Sequence, residues 1–199
     1  MTTAENRGTA RHLWNTWLAG TNIPRRLLEE YRPGENQRLQ QALEMAQQAE
    51  AHQPGDPGLR LLTLVGTPGT GKTHLAAGIA GSWVAKGRRV AWFRVSDYLD
   101  QLRAAPFEDL ADRMMDVGYQ HLIVLDDLMA AHFKSEWSHE RINQIVDMAW
   151  ERSKQSMVIT TNMRAEDIPP RILDRLTDRN IGRVCVMDGP SFRQTGGIQ

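Results

Sequence analysis

Gly66-Thr67-Pro68-Gly69-Thr70-Gly71-Lys72-Thr73 has the residue types and spacing of a loop that grips phosphates. Its glycines let backbone N–H groups turn inward as an anion nest. A helix that starts beyond the loop would aim the positive end of its dipole at the same point. Lys72 can reach the β- and γ-phosphates of a nucleotide, and the Thr73 hydroxyl can ligate Mg²⁺. An apolar run before the loop and a helical run after it separate this segment from an ordinary glycine-rich turn. ATP with Mg²⁺ is the ligand that this chemistry expects.

Leu122-Ile123-Val124-Leu125-Asp126-Asp127 is a hydrophobic strand that ends in two carboxylates. A buried strand gains nothing from two acids, so packing does not explain them. At the C-terminal edge of a parallel sheet they would face the phosphates. Asp126 is expected to hold Mg²⁺ through water, and Asp127 to orient or deprotonate an attacking water. Val158-Ile159-Thr160-Thr161-Asn162 is another apolar strand with a polar end. Asn162 is either a turn residue or the group that holds the lytic water and touches the γ-phosphate. Arg171, Arg175 and Arg179 recur every four residues, on one face of an expected helix. They are either a solvated face paired with Asp174 and Asp178, or the source of an arginine, Arg175 foremost, that reaches a neighbouring subunit's γ-phosphate.

The elements that must position these groups alternate. Strands are expected at 59–65, 89–95, 121–126, 157–161 and 183–187. Helices are expected at 35–50, 74–86, 97–103, 107–117, 138–153 with Ser138 as N-cap, and 169–179. Strand–helix alternation implies right-handed crossovers and a mainly parallel five-stranded α/β sheet. A polar helix over residues 1–20 carries Leu13, Trp14, Trp17 and Leu18 on one face, for packing onto the domain or docking on a partner protein. Residues 1–21 therefore read as a short N-terminal extension, and 22–199 as the ATPase domain.

With 199 residues the chain suits one such domain, and 24 basic against 24 acidic side chains give no bulk charge that selects nucleic acid or membrane. The single cysteine, Cys185, excludes an internal disulfide and suits a reducing cytoplasm. No apolar run approaches the roughly 20 residues that span a bilayer.

Six segments in order, GTPGTGKTHL (66–75), LIVLDDL (122–128), INQIVD (142–147), VITTN (158–162), RILDRL (171–176) and GPSFR (189–193), resemble the DnaC/DnaI bacterial helicase loaders and the IstB transposition ATPases. Ile23-Pro24-Arg25 resembles the entry motif of that group. The resemblance implies an AAA+ P-loop αβα sandwich whose subunits assemble with ATP on single-stranded or duplex DNA. It places His74 beside the phosphate loop in the cofactor set, Arg175 as the trans arginine, and Arg193 in a sensor-2-like part. It also implies single-stranded DNA contacts from Lys134, Ser135 and Trp137, where an aromatic beside a cation suits a base beside a phosphate. Arg103 lies in a second DNA-facing insert; these residues otherwise read as ordinary surface. The 37 residues after Asn162 (163–199) leave no room for a full C-terminal helical lid.

The leading expectation is therefore a DNA-replication accessory ATPase with a replicative helicase as partner. Two others are an IstB-like helper that delivers a transposase to duplex DNA and a nucleotide-gated adaptor with little turnover. A small-molecule kinase is disfavoured by the paired aspartates, Asn162 and the arginine helix.

Overall fold

The computed structural model describes residues 25–192. The expected helix over 1–20, Ile23-Pro24 and Arg193 lie outside the described residues. α1 (Gln37–Ala51) begins at Asn36, whose side chain accepts from the Arg38 and Leu39 amides. The chain then alternates: β1 (Leu61–Val65), α2 (Lys72–Ala85), β2 (Val90–Arg94), α3 (Val95–Ala104), α4 (Phe107–Gly118), β3 (Leu122–Leu128), α5 (Glu136–Glu151), β4 (Ser156–Thr161), α6 (Pro170–Leu176) and β5 (Gly182–Val186).

The five strands form one parallel sheet in the order β2-β3-β4-β1-β5. Its strands read as continuous apolar runs because helices cover both faces. Alternate residues serve opposite layers. Leu61, Ile123, Leu125 and Ile159 pack with α3, α4, α5 and α6. Leu62, Leu64, Val124 and Val158 pack with α1 and α2. Side chains buried this fully contribute about 1.5–3 kcal/mol each, which holds the strand ends in fixed register. Among the described residues no helix is long and apolar enough to cross a membrane.

Helix boundaries differ from the sequence reading at three places that bear on the expected site residues. The helix after the phosphate loop begins at Lys72, because Gly71 takes a left-handed φ of 90° as its cap. Ser135, not Ser138, caps α5 by accepting from the Ser138 amide, and Ser138 is buried in the first turns. α6 stops at Leu176, where the Thr177 hydroxyl donates back to the Leu173 carbonyl. Arg179 therefore lies in the following turn, off the helical face it was expected to share with Arg171 and Arg175.

Candidate nucleotide site

The phosphate loop leaves the C-terminal end of β1 and is braced from both sides. A side chain at Gly66 would collide with the Met187 carbonyl after β5, and one at Gly69 (φ 86°) with Ser191. The Phe192 amide donates to the Gly69 carbonyl at 3.0 Å, and the Thr67 hydroxyl reaches the Gly189 carbonyl at 3.4 Å. On the other flank the Tyr31 hydroxyl donates to the Thr70 carbonyl at 2.8 Å. The Thr70 hydroxyl donates to the Thr67 carbonyl within the loop. Lys72 sends its ammonium back onto the Gly66 and Thr67 carbonyls, both at 2.8 Å. The loop thus keeps the shape of a cradle, with Pro68 exposed on its rim.

His74 turns away from the cradle. Its Nε2 lies 2.9 Å from the Leu27 carbonyl, and its ring meets Tyr31 edge-on at 5.5 Å. Tyr31 in turn meets Phe192 edge-on at 5.8 Å. Burial pushes the His74 pKa below the ordinary imidazole value, so the ring is neutral at pH 7. These three rings join the chain before α1 to the segment after β5, beside the loop.

The acids are placed by a break in the sheet. β3 runs on to Leu128 instead of ending at Asp126, and its register with β4 shifts between Leu125 and Leu128. Two residues, Asp126 and Asp127, stand opposite the single Thr160: a β-bulge, which re-aims side chains. Asp127 takes a left-handed φ of 61°, a strain of about 1–3 kcal/mol that persists only where neighbours enforce it. Thr160 is the enforcer. Its hydroxyl donates to Asp126 Oδ1 at 2.6 Å and accepts from the Asp127 amide at 2.9 Å. Thr73 Oγ1 donates to the same carboxylate oxygen at 2.9 Å. One carboxylate and one hydroxyl suit Mg²⁺, which keeps its remaining positions for waters and phosphates. Among the described residues no group of three or more His, Cys, Asp or Glu offers a competing all-protein metal site.

Two residues of this site escaped the sequence reading. Thr160 was legible only as a strand residue, though a threonine beside the polar strand end was the available signal. Arg94, at the end of β2, brings a guanidinium nitrogen to 3.9 Å from Asp127 Oδ2; nothing in the spacing links positions 94 and 127. Asn162 follows Thr161, whose carbonyl accepts from the Gly66 amide at 3.2 Å. It stands at the exposed strand end between the loop and the acids.

Arg175 is engaged within its own chain. Its Nε contacts Asp147 on α5, and its guanidinium carbon sits 5.1 Å from the Trp150 ring centre. Arg171 pairs with the same Asp147 at 2.8 Å, from a more exposed position. Their partner is thus the aspartate of INQIVD; Asp174 and Asp178 do not pair with them. Of the expected DNA-facing residues, Arg103 and Trp137 come together: the guanidinium stacks 5.1 Å from the ring centre and donates to the Ser138 hydroxyl. Arg141 lies 5.8 Å from the same ring. Ser135 is committed to capping α5, while Lys134 is exposed.

We expect Thr160→Val, nearly isosteric, to keep the fold but release both acids. An outer group of this kind is worth roughly 10–100-fold in metal affinity. Magnesium titration of nucleotide binding reads the effect; an unchanged magnesium requirement would count against the linkage.

A phosphate loop on β1 and acids on β3, with β4 between them, define a P-loop nucleotide-binding domain of the AAA+ class. The family described as IstB-like ATP binding protein matches residues 58–193, and the chain belongs to that family. Replicative helicase loader DnaC of Escherichia coli K12 is 30% identical over 120 residues, covering 57% of this chain and 47% of that protein. The insertion sequence IS232 ATP-binding protein of Bacillus thuringiensis subsp. berliner is 28% identical over 141 residues, covering 66% of this chain and 55% of that one. The chain thus spans about half the length of these relatives. The crystal structure of DnaI superposes with a TM-score of 0.69 at 19% identity, covering 84% of this chain and 90% of that chain, a likeness in fold.

Proposed function

We propose that this chain binds ATP–Mg²⁺, hydrolyses it at an interface between copies of itself, and serves DNA replication in the manner of a helicase loader on single-stranded DNA. The observation that carries the reading is the Thr73–Asp126–Thr160 chain of hydrogen bonds, which ties the phosphate loop to the acids. When bound, the nucleotide supplies the anhydride to be cleaved, and magnesium neutralises its charge. Backbone amides of residues 66–73 and the α2 N-terminus bind the phosphates, and Lys72 exchanges its loop carbonyls for phosphate oxygens. Thr73 and Asp126 orient the metal. Asp127 draws the proton from the attacking water, with Asn162 positioning it. Arg193 flanks the nucleotide, and His74 supports the loop from outside through Leu27 and Tyr31. A trans arginine, Arg175 or its neighbour Arg171, completes the site. Residues 1–21 form a partner-docking extension to the ATPase unit 22–199, and the partner is a replicative helicase.

ATP is expected to hold the DNA-gripping assembly and hydrolysis to release it. Affinity for single-stranded DNA should rise roughly 5–150-fold with ATP, the usual scale of coupling between two sites, with turnover rising as DNA is added. Sedimentation and fluorescence anisotropy with an oligonucleotide measure this. If single strands change neither assembly nor turnover, the reading fails. A second reading, a transposition helper with a transposase as partner, has support from the IS232 relative; preference for duplex DNA would select it.

A further inference from the structure

The two ends of the sheet treat their cations differently. At the end that bears the phosphate loop, arginines meet carboxylates: Arg38 with Asp188 and Arg94 with Asp127. At the opposite end, where the strands begin, the cations meet backbone carbonyls. Arg89 Nε donates to the Tyr119 carbonyl at 2.8 Å. Arg152 donates to the Gly118 carbonyl at 2.5 Å. Arg183 donates to the Arg179 and Gly182 carbonyls, and Arg88 to the His52 carbonyl. Lys154 stands exposed just before β4. The ion pairs towards this end among the described residues are Lys86–Glu50 and, on the α5–α6 flank, Arg171 and Arg175 with Asp147.

These carbonyl bonds fix the guanidinium groups in place without cancelling their charge, and each guanidinium carries five N–H donors, more than these bonds use. Asp56, Asp116, Glu151 and Asp178 lie nearby, the last acting on the buried Arg60; they are fewer than the six cations Arg60, Arg88, Arg89, Arg152, Lys154 and Arg183. His121, at the start of β3, reflects the imbalance. Burial lowers its pKa first, and the other charges acting on it, Arg89 and Arg88, lower it further. In a chain of zero formal net charge, this end is therefore locally positive.

The arrangement also has a length and an aromatic. Strands about 4.8 Å apart make a five-stranded edge on the order of 20 Å long, enough for several phosphates of a strand. Tyr119 is 66% exposed, and its own carbonyl is held by Arg89 while that of its neighbour Gly118 is held by Arg152. We propose that this end is a nucleic-acid surface, distinct from the Lys134–Trp137 region, on which Arg89, Arg152, Lys154 and Arg183 take the phosphodiester backbone of a single strand and Tyr119 stacks on a base. Fixed guanidinium forks suit phosphate oxygens, and an aromatic between cations suits a base. An acidic protein partner would instead need a buried apolar anchor at the centre of its interface, whereas Tyr119 stands exposed between the cations. The surface shares no residue with the nucleotide site, so its test stands apart from ATP binding.

The test uses the full chain and an oligothymidylate. Acetylation of its four lysines, Lys72, Lys86, Lys134 and Lys154, read by mass spectrometry, separates the sites without any substitution. Lys154 is expected to react several-fold more slowly when DNA is bound. In anisotropy titrations the variant Arg89→Gln/Arg152→Gln/Lys154→Gln should bind about tenfold or more weaker at 50 mM salt, and its salt slope should fall by roughly 0.7 per lost contact. Tyr119→Ala should weaken single-strand binding roughly five- to a hundredfold while leaving duplex binding unchanged. Unchanged Lys154 reactivity with DNA saturating overturns the proposal, as does a parental salt slope in the triple variant. Equal losses on single and double strands with Tyr119→Ala overturn the stacking role. Displacement of the DNA by polyglutamate at equal charge concentration assigns the surface to an acidic protein and also overturns it.

Discussion

Lys72→Ala is expected to abolish nucleotide binding while leaving the domain folded. The ammonium sits 2.8 Å from two loop carbonyls, inside the cradle where the β- and γ-phosphates are proposed to lie. Charge-assisted hydrogen bonds are worth about 1.5–3 kcal/mol each, so losing contact with two phosphates costs roughly 100-fold or more in affinity. The cradle itself should survive, because Gly66 packs on Met187, Gly69 on Ser191, and Tyr31 holds the Thr70 carbonyl. Lys72→Arg should not restore binding, since a planar fork replaces a point charge on a flexible stem. Titration with a fluorescent ATP analogue, beside a circular dichroism melt, measures both parts. Affinity within a few-fold of the parent would rule out the phosphate loop as the nucleotide site.

Arg175→Ala is expected to reduce ATP turnover by on the order of a thousandfold, the lower end of what a trans arginine supplies, with nucleotide affinity unchanged. Complementation separates this role from a structural one. A subunit carrying Lys72→Ala keeps its arginine, and one carrying Arg175→Ala keeps its phosphate loop. Mixed together, they should recover turnover at the interfaces where the intact halves meet. A local role, clasping Asp147 and Trp150 to join α6 to α5, predicts no recovery and a lower melting temperature. Arg171→Ala is the necessary companion, because Arg171 shares Asp147 from a more exposed position. Loss of turnover there alone would move the trans role four residues back.

The legible part of the fold came from hydrophobic period and glycine punctuation. Strands 61–65, 122–125 and 157–161 were clear because both of their faces are buried, so most positions are apolar and the rest are threonines. Errors fell at ends, where local caps decide. Ser135 and Ser138 have equal chemistry for capping α5; only the geometry of the turn after Phe133 selects Ser135. The Arg171–Arg175–Arg179 face failed at its third member because the Thr177 hydroxyl and the Asp178 turn end the helix.

By itself the sequence determined the parts list: a phosphate loop, a pair of acids, a polar strand end and their order along an α/β chain. Those follow from residue types at short spacing, where the backbone allows few conformations. The tertiary structure alone decided which partners those parts have. The bulge that turns Asp126 and Asp127, the Thr160 hydroxyl that holds both, the Arg94 contact and the inward set of Arg175 all join residues more than 25 positions apart. Such contacts depend on strand order and register, which parallel crossovers set only once the whole sheet is packed.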